Sequence, residues 1–286
     1  MVEVYLLEQL IAFKEHHTLS DAAKALHLTQ PTLTRSMQKL EELFGVPLFI
    51  HEKKRLYLNE NGLLAADYAM NILQLENQML TQVRMFEKSK HTVTVGSCAP
   101  GPLMELMPLL TNSFPHMTVS TELQNEETLF RGLDENTYQM IILDHPVAQE
   151  TYYCEKCGSE QLCASLLPDH RLSRERSLSF HDLDGERFLM ASEVGIWDGI
   201  VRKMMPSSKF LLQDGLDSLT EIINTSSLPC FSTDVTQRIF GGRGGRISIP
   251  FSDPEAHVDF YCICLSDNRK KYQNWFQTIR DRIVSA

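Results

Sequence analysis

Apolar positions in the first sixty residues recur at helical spacing. Leu6, Leu10 and Phe13 mark a first helix. Residues 19–45 then read as two short helices joined by a tight turn. In the first, Ser20 is expected to cap the N-terminus, while Ala22, Ala23 and Leu26 give a small apolar face that lets a neighbour approach closely. The break falls at residues 27–31. Thr29 is placed to cap the second helix, and Pro31 is tolerated in its first turn, where an N–H has no intrahelical partner. Leu33, Met37, Leu40 and Phe44 form one stripe for burial. The opposite face carries Thr32, Thr34, Arg35, Gln38 and Lys39, groups suited to base edges and phosphates in a major groove or, equally, to water.

Past Gly45 the pattern changes to short alternation. Leu48 and Phe49, a charged turn at residues 51–55, and Leu56 to Leu58 predict two strands, completing a winged helix-turn-helix over residues 1–60. Lys53, Lys54 and Arg55 at the wing tip are candidates to grip a phosphate backbone; a solvated turn is the alternative. From Asn61 to Lys88 the chain has strong helix formers and, after Gly62, neither Gly nor Pro. One helix of roughly 40 Å follows at 1.5 Å per residue. Tyr68, Ile72, Leu75, Met79 and Phe86 make one stripe along it, and Leu63, Ala66, Met70, Leu73 and Leu80 make another. Two apolar faces on one helix need partners, either the same helix of a second copy or another part of this chain.

At His91 strands and helices begin to alternate. Thr92–Ser97, Met117–Leu123 and Tyr138–Leu143 read as strands, with helices near Leu103–Phe114 and Glu126–Leu133. A second series follows. Its strands are Gln161–Leu167, Arg187–Ser192, Lys209–Gln213 and Val258–Leu265, its helices lie near Gly195–Met205, Leu216–Asn224 and Thr233–Phe240, and a last helix spans Arg269–Ile283. The expected fold is therefore an N-terminal all-α winged helix-turn-helix, a linker helix and two α/β lobes with mostly parallel sheets. The limits are 1–60, 61–89, 90–156 for the first lobe, 157–266 for the second, and 267–286 for a helix returning to the first.

Composition narrows the classes. At 286 residues, 43% hydrophobic and 22% charged, the chain is globular and long enough for several cores. No stretch reads as a membrane span, and the N-terminus lacks a basic leader and cleavage site, so a cytoplasmic protein is expected. The net charge of −10 excludes a protein that coats nucleic acid without sequence preference. Residues 1–60 hold seven Lys and Arg against eight Asp and Glu, so any DNA contact depends on where those cations stand.

The order of parts, together with Phe13, SDAAKAL, Leu28-Thr29-Gln30-Pro31, Leu40-Glu41, Gly45-Val46-Pro47-Leu48-Phe49 and Leu58-Asn59-Glu60-Asn61-Gly62, resembles the LysR-type transcriptional regulators. The resemblance spans the chain. It implies a dimerising linker helix, an effector domain similar to periplasmic binding proteins, and a homotetramer built as a dimer of dimers. The implied partners are double-stranded promoter DNA, RNA polymerase and a small-molecule effector held between the lobes. On the matching positions, Thr29, Gln30, Pro31, Thr32, Thr34, Arg35, Gln38 and Lys39 would face DNA. Three positions depart from the pattern: His51 stands where arginine is usual, making a phosphate contact there weaker or pH-dependent; Asn59 and Asn61 replace Thr and Ala; and Gln139 falls near a usual aspartate.

Effector candidates come from strand-to-helix turns, where free N–H groups and caps collect. They are Ser97, Cys98, Gln124, Asn125, Glu126, Asp144 and His145 in the first lobe, and Ser192, Glu193, Trp197 and Thr233 in the second. For each, a helix cap or solvated loop is the alternative. Their acidic members suit an amine-bearing or zwitterionic effector. Cys154, Cys157, Cys163 and His170 contain a CxxC pair, but the remaining spacing fits no zinc pattern, and unpaired thiols are expected. Cys98, ahead of a helix, is a candidate low-pKa thiol or a small buried residue. FGGRGGR at Phe240–Arg246 lacks the ending of a phosphate loop and reads as a flexible connection. No local motif gathers a nucleophile with its base, and no cofactor is implied, so the chain is not expected to be an enzyme. The competing class is a solute-binding or enzymatic α/β protein with a helical appendage.

Overall fold

In the computed structural model, which describes residues 1–52, 55–242 and 244–285, the chain opens with α1 (Val4–His16), α2 (Leu19–Ala25) and α3 (Gln30–Phe44). Thr18, not Ser20, caps α2: its hydroxyl accepts the Asp21 N–H at 3.1 Å, while Ser20 already lies inside the helix. Thr29 caps α3 as expected, accepting the Thr32 N–H, and Gly45 ends that helix in the left-handed region at φ 69°. Leu6, Leu10, Phe13, Ala22, Leu33, Met37 and Leu40 pack as one core. Each fully buried Leu there contributes roughly 1.5–3 kcal/mol. Phe44, expected in the stripe, is exposed at the last residue of α3.

Strands β1 (Phe49–Glu52) and β2 (Arg55–Leu58) pair antiparallel, Phe49 opposite Leu58 and Glu52 opposite Arg55. Lys53 and Lys54 lie outside the described residues. Helix α4 (Glu60–Lys88) follows. Asn59 caps it by accepting the Gly62 N–H at 2.9 Å, and both Asn59 and Asn61 donate to the Pro47 carbonyl. Asn59 thus does the capping work of a threonine, and both asparagines tie the start of α4 to the segment that leads into the wing. Gly62 is required by proximity, since a Cβ there would sit 2.2 Å from the Leu48 carbonyl oxygen. Further along α4, Tyr68, Ile72, Leu75, Met79 and Phe86 are exposed, as are Leu63, Met70 and Leu80, whereas Ala66 is buried.

The chain divides after Arg84 into two units. The second begins with β3 (Thr92–Ser97), α5 (Pro100–Ser113), β4 (Thr118–Leu123), α6 (Glu126–Asp134) and β5 (Met140–Leu143), whose strands lie parallel in the order β4-β3-β5. Strand β6 (Tyr152–Leu166) then crosses to the second lobe. That lobe contains α7 (Phe180–Leu183), β7 (Arg187–Ala191), α8 (Ile196–Met204), β8 (Lys209–Gln213), α9 (Leu216–Thr225), β9 (Cys230–Thr233), α10 (Asp234–Phe240) and β10 (Ile247–Pro250). Strand β11 (His257–Leu265) returns, and α11 (Gln273–Ser285) closes the chain.

Three expectations change here. β6 is fifteen residues long and starts at Tyr152, because β11 pairs with it antiparallel from His257–Gln161 to Leu265–Tyr152. The lobe limit placed at residue 157 therefore falls inside one continuous strand. β11, assigned to the second lobe, also pairs with β5 and puts Phe260, Cys262, Ile263 and Cys264 in the first lobe's core, beside Tyr272, Trp275, Phe276 and Ile279 near or on α11. The sheet is consequently mixed. Strands β9 and β10, unforeseen, flank β6 through antiparallel pairs, and β7 continues parallel to β8.

Candidate functional site

In the first unit, the buried stripe of α3 turns the opposite face outward. Thr29, Gln30, Pro31, Thr32, Arg35 and Gln38 are exposed, and Thr34 is half-buried with its hydroxyl donating to the Gln30 carbonyl at 2.9 Å. Among the described residues, the side chains of Gln30, Arg35 and Gln38 make no hydrogen bond or ion pair. Lys39 differs from these. Its ammonium lies 2.6 Å from Glu3 and 3.1 Å from the Tyr5 hydroxyl, and the Glu3 hydrogen bond raises its pKa while Lys39 lowers that of Glu3. Arg55 is exposed on β2, as is His51 on β1.

The wing is fixed to α3 by Glu41. Its Oε1 accepts the N–H groups of Leu48 and Phe49 at 2.8 and 3.1 Å, and Phe13 meets Phe49 edge-on with ring centroids 5.4 Å apart. A charge-assisted acceptor for two backbone donors sets the angle at which the strands leave the helix.

In the second unit, the two lobes enclose a cavity of about 370 Å³, within the size range of small-molecule sites. Ser192, Glu193, Trp197 and Thr233 line it. The first lobe supplies Pro100, Gly101, Leu103, Met104 and Leu123 in place of the residues expected from it. Ser97 is fully buried, its hydroxyl donating to the Ala99 carbonyl and accepting the Ala99 N–H. Cys98 is buried too; burial, reinforced by Asp144, pushes its thiol up to about 12, the reverse of an activated thiolate. Gln124 is exposed outside the lining, and Asn125 caps α6 through the Thr128 N–H. Glu126, Asp144 and His145 do come together, with His145 Nδ1 2.9 Å from Asp144 and Nε2 3.6 Å from Glu126, but away from the cavity lining.

Two charged cavity residues were not foreseen. Glu160, on the crossing part of β6, is 2% exposed, and its Oε2 accepts the Trp197 indole N–H at 3.1 Å. Burial raises its pKa. Gly101 packs against this carboxyl so closely that a Cβ would meet it at 2.3 Å. Arg246, in the segment expected to be a flexible connection, is 8% exposed. It donates from Nη1 to the Ser165 and Leu228 carbonyls and from Nη2 to those of Ile223 and Ser226. Arg243 of the same segment lies outside the described residues.

The cysteine group does not converge. Cys154 and Cys163 are nine residues apart on β6, roughly 30 Å of extended chain. Cys157 faces the first lobe's core, and His170 pairs with Glu186 at 3.1 Å.

Two family profiles match the chain. "Bacterial regulatory helix-turn-helix protein, lysR family" covers residues 5–63, and "LysR substrate binding domain" covers residues 90–220. The chain belongs to the LysR family. Among curated members it is 25% identical over 191 residues to the DNA-binding transcriptional dual regulator OxyR of Escherichia coli, a match covering 65% of this chain and 63% of that protein. It is 26% identical over 193 residues to the RuBisCO operon transcriptional regulator of Allochromatium vinosum, covering 65% and 64%. The chain thus spans a little under two thirds of these LysR relatives. Full-length OxyR from Pseudomonas aeruginosa superposes with a TM-score of 0.54 at 18% identity, over 98% of this chain and 95% of that one. An OxyR from Corynebacterium glutamicum gives 0.52 at 16% identity, over 99% and 92%. These likenesses establish a LysR fold. Within it, Gln139 takes over the position near the usual aspartate: it is buried, its Oε1 accepts the Thr94 N–H at 2.8 Å, and its Nε2 donates to the Asn136 carbonyl.

Proposed function

We propose that this protein is a transcriptional regulator that binds double-stranded promoter DNA through α3 and the wing, and whose DNA-bound state responds to a small molecule in the cavity of the second unit. The observation that carries the reading is the outward face of α3. Gln30, Arg35 and Gln38 stand exposed, beside Thr32, with their donors and acceptors uncommitted. Arg35 suits a guanine edge or a phosphate, Gln30 suits adenine, and the threonine methyls suit thymine. Lys39 serves the α1 contact instead of the groove. Family membership supports the same assignment.

Assembly in this reading runs through α4. Its exposed Tyr68, Ile72, Leu75 and Met79 form an apolar stripe that an identical helix would cover, and a dimer of dimers presents paired α3 helices to successive half-sites. No catalytic step belongs to this function. Among the described residues no helix is long and apolar enough to cross a membrane.

The test is a gel-shift titration of the full chain against its own upstream DNA. Saturable, sequence-dependent binding is expected, and Arg35→Ala should weaken it by about 1–3 kcal/mol, roughly five- to 150-fold. Binding that ignores sequence, or that survives Arg35→Ala unchanged, would remove α3 as the reading surface.

A further inference from the structure

The cavity has two chemically unlike ends. At one, the Glu160 carboxyl accepts the Trp197 indole N–H, while Glu105 and Asp234 nearby are each ion-paired with Arg238. At the other, the Arg246 guanidinium is buried with its four Nη bonds spent on neutral backbone carbonyls. Its Nε–H is buried and has no partner, and among the described residues no carboxylate pairs with the cation. The carbonyls of Ile223 and Ser226, at the C-terminal end of α9, offset part of its charge. They leave a cation without a counter-ion, which is unfavourable in a buried site unless an anion reaches it.

Between the ends the wall is apolar, built from Leu162, Leu189, Leu219, Ile223 and Phe231. Ser165, whose carbonyl takes Arg246, lies five residues beyond Glu160 on β6, so the ends are separated by roughly 16 Å of extended strand. An anion is attracted at the Arg246 end and repelled at the Glu160 end. We infer that the cavity takes an elongated, largely apolar molecule with a single acidic head group, of the straight-chain monocarboxylate class. Its head sits beside the Arg246 guanidinium and its chain lies along the apolar wall toward Trp197. This assignment rests on the reading of the cavity as the effector site and names the chemistry of its occupant. It differs from the amine-bearing effector suggested by the acidic candidates: of these, Glu193 lines the cavity, whereas Glu126, Asp144 and His145 lie off the lining.

The experiment is isothermal titration calorimetry on the full chain with decanoate, decanol, decylamine and decanedioate, each kept below its micellar range. Decanoate is expected to saturate one site per chain. Decanol should bind about tenfold more weakly, having lost the charged hydrogen bond. Decanedioate should be weakened similarly by its second carboxylate near Glu160, and decylamine, whose ammonium is repelled from the Arg246 end, should bind more weakly than decanoate. Because Arg246→Gln removes the clamp on α9 and risks unfolding, Leu219→Phe serves as the second variant. It narrows the apolar wall, and it should weaken decanoate while leaving the melting temperature near that of the parent. Equal affinity for decanoate and decanol, or no decanoate binding, overturns the assignment. Decanoate binding by a chain that shows no sequence-dependent DNA binding would uphold the cavity chemistry and sink the regulator reading. Specific DNA binding without decanoate binding would do the opposite.

Discussion

The Glu41 carboxylate, on α3, accepts the backbone N–H of Leu48 at 2.8 Å, and with the neighbouring bond to Phe49 it joins α3 to the first strand of the wing. Removing a part-buried acceptor that serves two backbone donors leaves both unsatisfied, at a cost of about 1–3 kcal/mol. Glu41→Ala should therefore lower the melting temperature of the first unit and weaken DNA binding. Glu41→Gln keeps the Oε1 acceptor and should recover most of both. Calorimetric melting beside a gel-shift titration checks this; equal losses in the two variants would mean that the bonds do not govern the wing.

The exposed stripe of α4 predicts the oligomeric state. Leu75 is 63% exposed in the single chain, more than a core leucine tolerates without a partner surface. Burying it in a helix pair is worth roughly 1.5–3 kcal/mol for each copy. Leu75→Asp should shift the assembly toward monomers in light scattering at micromolar concentration and weaken binding to paired half-sites. An unchanged mass would place the interface elsewhere.

Much of the first unit was legible in the sequence because its determinants are local. Thr29, Pro31 and Gly45 punctuate α3, and Leu33, Met37 and Leu40 keep its period, all within one stretch of chain. The one misplaced cap, Ser20 for Thr18, is a shift of the kind that neighbouring hydroxyls on either side of a helix start produce. Glu160 and Arg246 were not legible. Glu160 matters because β6 runs between both lobes, which depends on its pairing with β11 some hundred residues later. Arg246 matters because β10 pairs with the end of β6 and brings the guanidinium to carbonyls of α9 and its following loop. An acid in a strand and an arginine among glycines carry no local signal of either role.

Glu160 gives a pH dependence of definite sign. Burial raises its pKa above the usual 4.5, so the folded state holds the proton more tightly and ionisation works against folding. That cost is absent below 4.5, where the acid is protonated in both states, and is present in full above the folded-state pKa. Glu160→Gln should accordingly raise the melting temperature relative to the parent at neutral pH, and the difference should shrink as pH falls toward 4.5. Melting curves of both proteins over this range test it; a difference that grows on acidification would contradict the assignment.

Cys98 should behave as an inert thiol. With its pKa pushed up to about 12 by burial and by Asp144, almost none is thiolate at pH 8. Alkylation of the folded protein by iodoacetamide, followed by peptide mass spectrometry, should leave Cys98 unlabelled until the chain is unfolded. Fast labelling in the native state would restore the redox reading.

At the meeting of the lobes, the Cys98 carbonyl accepts the Ile196 N–H at 2.9 Å, and a Cβ on Gly195 would stand only 1.9 Å from that oxygen. The latch is written in main chain, with a missing methyl group as its one sequence requirement. Residues lining the chamber can therefore be exchanged while this bond stays in place, whereas any side chain at position 195 would force the Cys98 carbonyl away from the Ile196 N–H.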